Sequence, residues 1–191
     1  PLSHYYAMGI RNSFGLAIDP ITGNMWDTEN GPDDFDEINL VSPKFNSGWA
    51  VVIGPATEEQ ISKIPPFGNF QYDDPKFSWE RTVTPTGLTF VHSDLFTKYK
   101  DEMLIGTCNY GQLFKFKLNE ERSQFVFNTP HLQDNVANFI TLESKQKDFE
   151  PIDEILFGTG FGCITDVEMG SDGSLYVVSI NDNTIYRITS K

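Results

Sequence analysis

Six carboxylates, Asp27, Glu29, Asp33, Asp34, Asp36 and Glu37, crowd eleven positions around a Gly31-Pro32 turn. Like charges at that density repel unless solvent screens them or a cation sits among them, and an all-oxygen donor set of this kind suits calcium. A solvated acidic surface is the competing reading. An EF-hand does not account for the run. Gly31 and Glu37 would occupy loop positions six and twelve, but positions one and three would be Trp26 and Thr28, which removes the leading acidic ligands.

Other reactive side chains are sparse. Cys108 and Cys163 are too few for a disulfide scaffold or a zinc site, and two buried free thiols are expected, with a single disulfide as the alternative. His4, His92 and His131 belong to no catalytic pattern and read as surface or loop residues. Gly158-Thr159-Gly160-Phe161-Gly162 fails as a nucleotide loop, because its third glycine comes one position early and a strand follows it rather than a helix. Arg11-Asn12 stands just ahead of the acidic run, and Arg11 is a candidate partner for Asp27 or Glu29.

The elements that must carry these residues have the periodicity of strands. Leu113 to Leu118 alternates, Leu175 to Val178 is aromatic and β-branched, and Gly, Pro, Asn and Asp punctuate the runs. One helix is predicted, where Thr57-Glu58-Glu59-Gln60 forms a capping box ahead of Ile61 and Ile64 and Pro65-Pro66 stops it. A phrase of strand, turn, strand, loop, strand occurs three times. It begins at Gly15, at Gly87 and at Ile164, so the copies start 72 and 77 residues apart. Long insertions, Ala50 to Thr86 and Glu120 to Gly162, separate them. Short antiparallel sheets repeated with long loops read as propeller blades, whose loops build a site at the centre; a β-sandwich with coincidental spacing is the alternative. Three blades do not close a ring, so a missing N-terminal half or a second copy is expected to complete it.

The chain has 191 residues, 39% of them hydrophobic and 14% aromatic, which is the composition of a packed globular protein. Its net charge of −13 repels a phosphate backbone and argues against nucleic acid as a partner. No run is long and apolar enough for a membrane span, and the first residues carry no signal peptide. A start on strand-like sequence without Met reads as a fragment, a single partial domain over residues 1–191.

The motifs together resemble a known family. Arg11-Asn12, Gly31-Pro32 and Asp36-Glu37-Ile38-Asn39-Leu40 are similar to the pattern of the soluble aldose sugar dehydrogenases that use pyrroloquinoline quinone. The likeness continues through Trp79 to Leu88, Leu104 to Thr107 and Thr165 to Val177, in order over nearly the whole chain. The resemblance implies an all-β, six-bladed propeller of which this chain supplies about three blades, with a quinone and calcium at the centre and a sugar as substrate. It implies a periplasmic or extracellular location. It also implies that Arg11, Asn12 and Asn30 face the quinone, that the Gly31 and Pro32 carbonyls hold one calcium, that Glu37 and the Ser47 carbonyl hold a second, and that Trp79 lines the substrate mouth or is ordinary core. Three departures stand out. Asn109 takes the place of a lysine, and Cys163 and Thr165 take the places of two arginines that clamp the cofactor's carboxylates. Three lost cations opposite a tricarboxylate remove charge-assisted hydrogen bonds worth roughly 1.5–3 kcal/mol each. No residue of this chain matches the family's general-base histidine. The expected function is therefore a quinone-dependent sugar dehydrogenase that is incomplete or impaired in its cofactor site. The alternative is a non-catalytic, calcium-stabilised propeller that binds a ligand or protein, and an altered chemistry at Cys163 and Asp166 is a third, weaker reading.

Overall fold

A computed structural model describes residues 2–138 and 153–189. Part of the second insertion, residues 139–152, falls outside that description. The first repeat forms β1 (Ser13–Ile18), β2 (Met25–Glu29) and β3 (Asp34–Val41), joined as antiparallel neighbours. β4 (Phe45–Asn46) follows, and the first insertion then carries the helix α1 (Glu58–Lys63), β5 (Gln71–Tyr72) and β6 (Phe77–Arg81), which returns to pair with β3. The second repeat gives β7 (Pro85–Phe90), β8 (Met103–Thr107) and β9 (Gln112–Phe116), and its insertion holds β10 (Val136–Ala137), parallel to β6, and β11 (Leu156–Thr159), paired with β9. The third gives β12 (Ile164–Met169), β13 (Leu175–Ser179) and β14 (Thr184–Ile188). These are three successive blades of a β-propeller, with β1, β7 and β12 innermost. The insertions are more than loops, since each contributes the fourth strand of its blade.

The predicted helix forms at its capping box: Gln60 N–H donates to the Thr57 hydroxyl, and the Gln60 side chain accepts from Thr57 N–H.

Apolar side chains fill the two spaces between blades. Trp26, Ile38, Phe77, Trp79, Phe114 and Phe116 lie between the first and second blades, and Leu104, Leu113, Ile164, Val167 and Val177 between the second and third. The inner strands approach so closely that a side chain is excluded at Gly15, where an added Cβ would stand 2.2 Å from the Thr86 carbonyl oxygen. Hydroxyls stitch the same contact. Gly15 N–H donates to Thr28 Oγ1, which donates to the Thr86 carbonyl, and Thr86 Oγ1 lies 2.9 Å from the Ile164 carbonyl. One line of hydrogen bonds thereby crosses all three blades. At the opposite end of the sheets, Arg122 Nε meets Asp19 at 2.5 Å, and both side chains are buried.

The expectation of two free thiols is corrected here: Cys108 and Cys163 form a disulfide. They lie 55 positions apart in sequence, but one follows β8 and the other precedes β12, and the packing of adjacent blades brings those two ends together.

Candidate functional site

Strand register gathers the chemistry at one end of the blades. Ser13 at the start of β1 pairs with Glu29 at the end of β2, Pro85 at the start of β7 with Thr107, and Ile164 at the start of β12 with Ser179. The residues that precede β1, β7 and β12 are thus neighbours. Asn30 N–H donates to the Asn12 carbonyl, Asn30 Nδ2 to the Pro85 carbonyl at 3.1 Å, and Cys108 N–H to the Thr84 carbonyl. Arg11, Asn12, Asn30, Gly31, Asn109 and Cys163 accordingly share the central end.

The acidic run divides by strand alternation. Glu29 stands directly opposite Glu37, and Asp27 opposite Asn39, so four polar side chains share one face of the first blade. All four are buried, because the segment after β4 folds over them: Ser47 Oγ donates to Glu29 at 2.8 Å, and Gly54 N–H to Glu37 at 2.8 Å. Like charges opposed across a ladder destabilise it. Burial, reinforced by Glu29, pushes Glu37 up to about 7. Burial likewise pushes Asp27 up to about 7 against the pull of Ser13. Asp27 Oδ1, Asn39 Oδ1 and Asn30 Oδ1 have no hydrogen-bond partner. Buried orphans of this kind call for an occupant. A cavity of about 10 Å³ opens beside Asn30, lined also by Glu29, Gly31, Pro32, Glu37 and Ser47 among others. That is about the room one water needs.

Asp36, which sequence reasoning left as one more acidic residue, has a separate task. Its Oδ1 accepts from Gly31 N–H at 2.9 Å, and its Oδ2 from Val83 and Thr84 N–H at 2.6 and 2.7 Å. It ties the Gly31-Pro32 turn to the link entering β7, where Thr84 adopts φ +57°. Nothing in the sequence sets Asp36 apart from its neighbours, because its pairing with Trp79 appears only with β6.

Arg11 lies on the same end. Its N–H donates to Glu29 at 2.5 Å, Nη1 donates to the Asn30 carbonyl at 2.7 Å, and the guanidinium lies over the Trp49 ring. Trp79 does not line a mouth. It is fully buried among Phe77, Phe114 and Phe116, which corrects the substrate-facing reading and leaves the core one. The exposed Asn109 directs Nδ2 at the Thr82 carbonyl, Thr165 lies within 3.5 Å of the Val178 carbonyl, and Cys163 is spent in the disulfide. His4, His92 and His131 are exposed.

Residues 2–187 match the family profile described as Glucose / Sorbosone dehydrogenase. The chain belongs to that family. An uncharacterized protein of Synechocystis is 26% identical over 93% of this chain and 37% of its own length. The aldose sugar dehydrogenase YliI of Escherichia coli is 27% identical over 61% of this chain and 32% of its own. The PQQ-bound aldose sugar dehydrogenase of Streptomyces coelicolor superposes with a TM-score of 0.59 at 20% identity, covering 93% of this chain and 40% of that one, which shows the shared propeller fold. The chain thus spans well under two thirds of the length of these relatives. Among the described residues no helix is long and apolar enough to cross a membrane.

The site residues of this sugar dehydrogenase relative fit a calcium ion. The lining donors are oxygens, one of them, Asn30 Oδ1, is orphaned, and the local charge is negative. Among the described residues no three His, Cys, Asp or Glu side chains form a ready-made metal cage, so backbone carbonyls must supply part of any shell. The same residues do not fit a tricarboxylate quinone. At the three positions where the resemblance places cations, the structure has a neutral amide, a disulfide sulfur and a hydroxyl, and Arg11 already serves the Asn30 carbonyl.

Proposed function

We propose that this chain supplies three blades, a single partial domain, of a sugar-dehydrogenase-type propeller that keeps calcium at its centre and is impaired in quinone-dependent oxidation of a sugar hydroxyl. The carbonyls of Gly31 and Pro32 would hold one ion, and Glu37 with the Ser47 carbonyl a second. Bound there, calcium supplies positive charge that offsets the buried carboxylates. The chain's own residues then have distinct tasks: Asp36 fixes the turn, the Arg11 backbone N–H donates to Glu29 while its guanidinium braces the Asn30 carbonyl, and Ser47 and Gly54 hold Glu29 and Glu37 in place.

The observation that carries this reading is the disulfide standing where a cofactor clamp would need cations. It also favours the second reading, a calcium-stabilised propeller without oxidoreductase activity that binds a ligand or protein. Apolar side chains left open on β1, Phe14, Leu16 and Ile18, support association with three further blades, an N-terminal half or a second copy. The disulfide also suits a periplasmic or extracellular location, because such bonds persist in oxidising compartments.

The deciding experiment takes the full-length protein with calcium, titrates it with pyrroloquinoline quinone, and follows reduction of an artificial acceptor on addition of an aldose. Calcium-dependent melting with neither submicromolar quinone binding nor turnover supports the impaired or non-catalytic propeller. Turnover comparable to that of an intact dehydrogenase overturns it.

A further inference from the structure

We infer that the Cys108–Cys163 disulfide is a reducible latch, a thiol-exchange site through which a dithiol reductant opens the central end between the second and third blades without unfolding either. The two sulfurs are unequal in access. Cys108 is half-buried and flanked by the exposed Asn109 and Tyr110, whereas Cys163 is buried. A thiolate therefore attacks Cys108 Sγ, the S–S bond breaks, and Cys163 leaves as a thiolate that takes a proton from solvent. The second thiol of the reductant then displaces Cys108, which also gains a proton. The protein ends as two thiols and the reductant as its own cyclic disulfide.

What remains after cleavage differs between loops and strands. Beside the sulfurs, Phe161 N–H donates to the Gly111 carbonyl at 3.2 Å, and the next connection between the two segments is the β9–β11 ladder, where Thr159 pairs with Gln112. Gly111 and Gly162 pass so closely that an added Cβ on Gly111 would stand 2.2 Å from the Gly162 carbonyl oxygen, and both have positive φ. Neither loop has a side chain at that crossing to hold the other. Below them the blades stay joined, because Thr86 Oγ1 reaches both the Gly106 and the Ile164 carbonyls and Leu104, Leu113, Ile164 and Val167 pack together. Each loop also keeps an anchor to its own side: Asn109 N–H donates to the Val83 carbonyl, and Ile180 N–H to the Cys163 carbonyl. Opening the bond frees the turns 108–111 and 160–163 from each other above the β9–β11 ladder and leaves the packed strands intact. It lets Gly111 move away from Gly162, and so widens the central end.

The test needs neither calcium nor quinone, so its outcome is separate from that of the proposed function. Full-length protein is treated with dithiothreitol under native conditions, its free thiols are alkylated and counted by mass, and amide hydrogen exchange is compared with that of the oxidised form. The Cys108→Ser/Cys163→Ser variant serves as a reductant-free control. The expected result is reduction well below the unfolding transition, with exchange at residues 108–111 and 160–163 faster by at least about tenfold and exchange in β7, β9, β11 and β12 unchanged, in both the reduced protein and the variant. Thiols that appear only as the protein unfolds overturn the latch. So does unchanged loop exchange after reduction, or a loss of protection that spreads through β7 and β12 in reduced protein and variant alike.

Discussion

Replacing Glu37 by Gln should stabilise the metal-free protein at pH 8 and destabilise the calcium-loaded one. A carboxylate held at about 7 instead of its ordinary 4.5 costs the folded state roughly 3 kcal/mol once ionised, at about 1.4 kcal/mol per tenfold in proton affinity. Glutamine removes that charge and the repulsion from Glu29 across the ladder. It keeps an acceptor for Gly54 N–H, and its amide would meet Asn39 Nδ2, now 3.4 Å from Glu37. A flip of Asn39 lets its unpartnered Oδ1 accept the new amide, at the cost of the long 3.5 Å contact from Nδ2 to Glu29, which takes part of the gain. The net gain is therefore about 1–3 kcal/mol, or roughly 3–10 °C in Tm for a chain of this size. At pH 5 the native glutamate is already protonated and the gain falls below about 1 kcal/mol. With millimolar calcium at pH 8 the order inverts, because the charged carboxylate binds the ion more strongly than the neutral amide oxygen that replaces it. Thermal melts of wild type and variant at both pH values, with EDTA or calcium, read all four cases. A variant equally destabilised in all four would refute the reasoning, since a purely structural glutamate predicts that and a calcium ligand does not.

Wild-type stability without metal should fall as pH rises from about 4 through 7. Asp27 and Glu37 both have raised folded-state values, so the folded protein binds more protons than the unfolded chain across that window. Urea titrations at pH 5 and 7.5 with EDTA check the sign, and calcium should reverse the slope. Asp36→Ala leaves the N–H groups of Gly31, Val83 and Thr84 without their acceptor. It should cost more than about 3 kcal/mol in a denaturant titration and abolish the calcium-dependent Tm shift. Asp19→Asn strands the buried Arg122 guanidinium and should cost about 3–5 kcal/mol. Because Asp19 lies at the far end of the blades, its calcium shift should survive.

Much of the fold is legible in the sequence, because each blade repeats three strands with the same turn chemistry, and the capping box at Thr57 fixes the helix. The fourth strands are hidden for a physical reason: Phe77 to Arg81 and Leu156 to Thr159 are short, lie inside long insertions, and are recognisable only by what they pair with. The Gly31-Pro32 turn and the acidic run were visible, but the division of labour within the run was not. Alternation predicts one buried and one exposed face, whereas Asp36, Glu37, Ile38 and Asn39 are all buried because β3 is covered on both sides. Trp79 and the cysteines misled for the same reason. Their roles depend on blade-to-blade contact between positions far apart in the chain, which local pattern does not encode.

The two outer faces of the three-blade arc are unlike each other. The β1 side presents Phe14, Leu16 and Ile18, and the opposite side pairs Val178 and Ile185 with the charged Asp166, Glu168 and Arg187. Surfaces that differ in this way join head to tail, and a head-to-tail contact either closes after a full turn or runs on without end. An arc of three blades given only copies of itself therefore has two fates, a closed pair or a growing fibre. The small angle each blade turns from the next decides between them.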